Sequence, residues 1–142
     1  IGLLIVLLAQ IFCDLAGRIL SVHLGLGHNN DKGMFKLTGL CEWLERNHYY
    51  VLTDRGYQHD LVVRPDDRQH SKAWNDEQKG LRSVVEIVAG MVKIFAVAAG
   101  RCRLPPEYHE MALMCAYHFM AEYLNRYPLR MDRPVVQEAA VQ

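Results

Sequence analysis

Two apolar runs separated by Asp14-Leu15-Ala16-Gly17 constrain this chain more than any other feature. Residues 3–12 read as a buried strand and residues 19–24 as the strand that returns beside it. Gly17 can take the positive φ that closes the turn. A β-hairpin built this way must bury a face, so something apolar has to follow. With 51% hydrophobic residues in a length of 142, the chain can bury one sizeable core, and one domain is expected.

The opening run of Ile1 to Ala9 has another reading, because a spanning helix needs about 20 apolar residues and a signal peptide needs a basic leader and a small-residue cleavage site. The run is too short for the first and lacks the marks of the second, so a strand is favoured over an anchor. Its start at Ile1 without an initiator methionine gives the expectation of a truncated chain. The 16 basic residues equal the 16 acidic ones, so any nucleic-acid contact has to come from a local patch. Cys13, Cys41, Cys102 and Cys115 contain no CxxC pair, which suggests neither a zinc knuckle nor a disulfide framework, and a reducing compartment fits.

Further along, Asp31 is a good start for a helix over residues 31–46, with Met34, Leu37, Leu40, Cys41 and Leu44 on one face. Residues 49–53 are aromatic and β-branched enough for a strand that ends abruptly at Asp54-Arg55-Gly56. Leu61-Val62-Val63 makes a further short strand closed by Pro65, and residues 66–75 read as a loop. Leu81, Val84, Val85, Val88, Met91, Val92 and Phe95 recur at helical spacing, predicting a helix over residues 76–99. A second helix follows Pro105-Pro106 and ends near Tyr127-Pro128, apolar around most of its surface. Residues 128–142 are expected to be a loose tail after a domain over residues 1–127.

This order is that of an α/β fold, in which functional groups gather at the carboxyl ends of strands. Asp54 stands at such an end, and Glu86 stands in the later helix. Paired carboxylates are the oxygen donors that magnesium prefers, and divalent ions held between them support phosphodiester cleavage. Taken singly, each residue has a plainer reading: Asp is common in turns and Glu on solvated helix faces. What raises Glu86 is its setting between Val84-Val85 and Ile87-Val88.

Several spaced motifs together resemble the DDE superfamily endonucleases of the Harbinger type. The family's Asp-x-x-Gly-Arg-Ile hairpin turn is similar to Asp14-Leu15-Ala16-Gly17-Arg18-Ile19, and its loop before a helix is similar to Gly27-His28-Asn29-Asn30-Asp31. The strand ending in Asp-x-Gly-Tyr resembles Leu52-Thr53-Asp54-Arg55-Gly56-Tyr57. The helix carrying Arg-x-x-(Val/Ile)-Glu resembles Arg82-Ser83-Val84-Val85-Glu86, with Lys93 two turns later. In this chain His28-Asn29-Asn30 replaces the usual serine of the loop, and Ala89 replaces an aromatic.

The resemblance covers about residues 10–125 and implies an RNase H-like mixed sheet with flanking helices. It implies Asp54 and Glu86 as catalytic metal ligands, a Mg2+ or Mn2+ cofactor, and DNA as partner. A separate DNA-binding partner protein, a nuclear location in a eukaryotic cell and no membrane go with it. The family's first catalytic aspartate lies on a strand before the hairpin, so the expectation is that this strand precedes Ile1 and that the 142 residues alone bind magnesium weakly and cut DNA poorly or not at all. Asp14 and Asp31 are then the remaining metal-ligand candidates, Asp14 with a competing role as the hairpin-turn residue. Arg82, Lys93 and Arg55 are the leading DNA-contact candidates, with Arg64, Arg101, Arg103, Arg126, Arg130 and Arg133 behind them. Arg82, four residues before Glu86, could fix its carboxylate, meet a phosphate or form a surface ion pair. His28, His59, His109 and His118 read as loop or packing residues. A decayed transposase serving as a DNA-binding or interaction module, and a membrane-anchored helical protein using residues 1–9, are the other classes of function.

Overall fold

The computed structural model describes residues 7–26, 39–57, 59–66, 68–99 and 103–131. Strands β1 (Leu7–Cys13) and β2 (Ile19–Leu26) form the expected hairpin. They pair antiparallel from Leu7 opposite Leu26 to Phe12 opposite Ser21, and a bulge then brings Cys13 opposite Ile19. The turn is held by Asp14, whose Oδ1 accepts from the N–H groups of Ala16 and Arg18, both at 2.9 Å. Gly17 sits at φ 94°, where only glycine is at ease.

Helix α1 (Leu40–Asn47) leads into strands β3 (Val51–Leu52) and β4 (Val62–Val63), which pair in parallel. The expected helix start at Asp31 falls outside the described residues. Helices α2 (Lys72–Val92), α3 (Ala96–Ala99) and α4 (Pro106–Arg126) complete the chain. Two sequence expectations are revised here. The segment read as loop up to Asn75 is already helical from Lys72, because the Ser71 hydroxyl accepts from the Trp74 N–H at 3.2 Å and caps the first turn. The single helix over residues 76–99 is instead broken after Val92, where the N–H groups of Lys93, Ile94 and Phe95 bond three residues back and tighten the chain into a turn.

The result is a mixed α/β fold whose strands form two separate two-stranded sheets. Successive side chains on a strand point to opposite faces, and the hairpin uses both. Ala9 and Ile11 on β1, with Val22 and Leu24 on β2, pack on a core of Ile19, Val88, Val92, Ala116, Tyr117, Met120 and Leu124. On the other face, Phe12 joins a smaller cluster around Leu40 and Leu44 that includes Val51 and Val62. Gln10 Nε2 donates to the Tyr57 hydroxyl at 3.0 Å, tying the hairpin to the segment after β3.

Past α4 the chain returns to the hairpin: the N–H groups of Leu129 and Arg130 both reach the Ala16 carbonyl oxygen, at 2.8 and 3.2 Å. Of the tail expected from residue 128, the first residues are thus anchored, and residues 132–142 lie outside the described part. Among the described residues no helix is long and apolar enough to cross a membrane.

A Cβ added at Gly17 would stand 2.9 Å from the Leu129 side chain, at a φ that already disfavours it. Gly17→Ala should therefore lower unfolding free energy by about 1–3 kcal/mol in denaturant titrations. Leu124→Ala, at a site with no exposed surface, should cost about 2–5 kcal/mol. An unchanged midpoint for either variant would show that the hairpin turn or the helix core is not packed as described.

Candidate functional site

The parallel pairing of β3 and β4 sends both carboxyl ends to one side, and the residues that follow them meet there. Asp54, two residues past β3, is exposed, and its Oδ1 accepts from the Gly56 N–H at 2.8 Å. A Cβ on residue 56 would stand 3.0 Å from that oxygen, so glycine is what lets the turn close on the carboxylate. Thr53 is buried and its hydroxyl donates to the Asp54 carbonyl oxygen at 3.0 Å. The strand end is thereby fixed on both sides of Asp54. From β4, Arg64 reaches back so that Nη1 donates to the Tyr57 carbonyl oxygen at 3.2 Å, locking one loop to the other.

Helix α2 is tied to the same end. Asn75 Oδ1 accepts from the Asp66 N–H at 3.3 Å, and buried Gln78 donates from Nε2 to the Val63 carbonyl oxygen at 2.8 Å. These ties run in opposite order along the two segments, so α2 runs antiparallel to β4. Its first turns lie at the strand ends, and Glu86 stands two turns beyond Gln78, about 12 Å further along the helix axis.

At about 100° per residue, Arg82, Glu86 and Lys93 share one stripe of the α2 surface. Val84 and Val88, whose apolar character made Glu86 conspicuous, face the core, while Glu86 itself is exposed. Arg82 is half-buried and Lys93 exposed at the helix end, and Arg82 and Glu86 make no ion pair with each other. Among the described residues no three His, Cys, Asp or Glu side chains are grouped as metal ligands. Asp31 is outside those residues.

Asp14 is buried at 4% exposure, and its Oδ1 is engaged by the turn, while its Oδ2 has no hydrogen-bond partner. Beside it, burial, and then the Asp14 charge, push the Cys13 thiol up to about 12. Cys13 is therefore protonated and unreactive at neutral pH. His109 Nε2 lies 3.1 Å from the Val97 carbonyl oxygen and joins α4 to α3, a packing role. His118 is exposed on α4, and His59 accepts through Nδ1 from the Leu61 N–H at 3.2 Å in its own loop.

Asp54 in its turn and Glu86 in its helix both fall inside a stretch, residues 6–120, that matches the profile of the family described as DDE superfamily endonuclease. The chain belongs to this family. The match takes in Asp14, Asp31, Arg55, Arg82 and Lys93 as well, and places the protein among transposase and nuclease domains, whose substrate is DNA. No curated protein and no solved structure matches the chain significantly.

For this DDE endonuclease domain, sequence reading singled out Asp54 and Glu86 but passed over the groups that hold the strand ends together. Asn75 lies just before the expected helix start and Gln78 just inside it, and neither carries a pattern of its own. Arg68 stands in what read as a polar loop. The turn role of Asp14 can be tested directly. Asp14→Ala strands the N–H groups of Ala16 and Arg18 and should cost about 1–3 kcal/mol, whereas Asp14→Asn keeps an acceptor oxygen and should cost under about 1 kcal/mol in the same denaturation assay. Equal stability of the two variants, with a change in magnesium affinity, would make Asp14 a ligand instead.

Proposed function

We propose that the protein is a DNA endonuclease domain of the Harbinger transposase type, with an RNase H-like fold, in which Asp54 and Glu86 are the catalytic carboxylates. The observation that carries this reading is the exposed Asp54 carboxylate, held by the Gly56 N–H at the carboxyl end of a parallel strand pair, inside the family match. A turn of this kind presents an acid to a ligand without burying it, and the loop-to-loop bond from Arg64 keeps it in place. In this reading Arg82 and Lys93, on the stripe of Glu86, meet phosphates of the DNA backbone. Arg55, next to Asp54 in sequence, does the same at the strand end.

The cofactor this reading calls for is Mg2+ or Mn2+. Asp54 and Glu86 fit such an ion in donor type. In arrangement the described residues do not, because no three ligating side chains are grouped and Glu86 lies well along α2 from the strand ends. No cleavage step is therefore written through an ion. The same observation favours a second reading, in which the domain binds DNA without cutting it.

Nicking of supercoiled plasmid by the full-length protein with added Mg2+ or Mn2+ decides between the two. The catalytic reading predicts metal-dependent nicking that falls about a hundredfold or more in both Asp54→Asn and Glu86→Gln. Nicking that persists unchanged in Glu86→Gln would remove Glu86 from the site. DNA binding with no nicking by the full-length parent protein would leave the non-catalytic reading.

A further inference from the structure

The loops that follow β3 and β4 enclose an open cleft of about 240 Å³ lined by Arg55, Arg64, Pro65, Asp66 and Arg68. Three arginines thus line one space in the loops after the strand ends, and one acidic residue lines it with them. The carboxylate of that residue is oriented by its own loop, since Asp66 Oδ1 accepts from the Arg68 N–H at 2.9 Å. The cleft is also braced. Arg64 holds the first loop through the Tyr57 carbonyl oxygen, and Asn75 holds the second through the Asp66 N–H, so α2 backs the wall.

In a chain whose 16 basic and 16 acidic residues balance overall, a concentration of positive charge at one strand end is a local feature that an anion would stabilise. Guanidinium groups present paired N–H donors that match the oxygens of a phosphate better than an ammonium does. The cleft is open to solvent, so a phosphate of an extended strand can approach it from outside.

We propose that this cleft is a phosphate-binding subsite that holds a backbone phosphodiester of DNA next to the one presented to Asp54. The inference rests on the reading of the domain as acting on DNA. It is independent of whether the domain cuts. Arg64 orders the cleft, and Arg55 and Arg68 bind the phosphate oxygens. Because the contact is to the backbone, the subsite carries no base preference and acts as a register pin for the strand.

The test is fluorescence anisotropy of labelled duplex and single-stranded DNA with the full chain, in EDTA, over a range of salt concentrations. Arg68→Ala should weaken binding roughly tenfold at about 0.1 M salt, uniformly across DNA sequences, and reduce the slope of log K against log salt by about 1. Arg55→Ala/Arg68→Ala should reduce that slope by about 2. Arg68→Lys should keep the slope and lose part of the affinity, which a folding defect would not reproduce. Circular dichroism of each variant checks that the fold is intact.

If the parent chain binds DNA and the arginine variants bind equally well with the same slope, the subsite is wrong and the DNA-acting reading stands. If the parent chain binds no DNA, both are wrong. Calorimetry with inorganic phosphate separates the remaining case: phosphate binding that is lost in Arg68→Ala while DNA binding is unchanged overturns the assignment to DNA.

Discussion

The packing of Val88 and Val92 of α2 between the hairpin and α4, with Val84 buried one turn before them, is the constraint on which the rest of this structure depends. All three are at most 3% exposed, and they form one stripe along the helix. The stripe fixes how α2 is rotated. It puts Glu86 on the solvent side, and with it the face shared by Arg82 and Lys93. It also sets the direction of the helix, so that Asn75 and Gln78 arrive at the carboxyl ends of the short parallel strands.

Those strands are only two residues each and could not hold a site by themselves. Their ends are stable because other elements grip them. Gln78 takes the Val63 carbonyl oxygen, Tyr57 takes a bond from Gln10 of the hairpin, and Arg64 joins one loop to the next. The site is thus a strand end supported by side chains from α2 and the hairpin and by a bond between its own two loops. The loops that carry Asp54 and the three arginines are the parts left facing solvent, as loops that carry function commonly are.

Much of the scaffold was legible in the sequence. The hairpin followed from two apolar runs around Asp14 and Gly17, because only a turn residue with a short acceptor side chain and a glycine at positive φ close it that way. The helices followed from periodicity. What was not legible came from contacts distant in sequence or from local competition. Ser71 capping moved the start of α2 back by several residues, and the tightened turn at residues 93–95 split a continuous apolar pattern that periodicity alone reads as one helix. Val84 and Val88 made Glu86 look like an acid in an apolar setting, yet those neighbours turn inward and leave it exposed. The arginine cleft could not be read from spacing, because Arg55 and Arg68 meet only when two parallel strands end on the same side.

The central claim is that DNA engages the protein at the carboxyl ends of β3 and β4. Backbone amide chemical-shift mapping with a short duplex tests it most directly, since it reports position without requiring cleavage. The account predicts that the amides of residues 54–57 and of Arg64, Asp66 and Arg68 shift together as DNA is added, and that those on the outer face of α4 around Met111 and Phe119 do not. Shifts confined to the α4 face, with the strand ends silent, would contradict it.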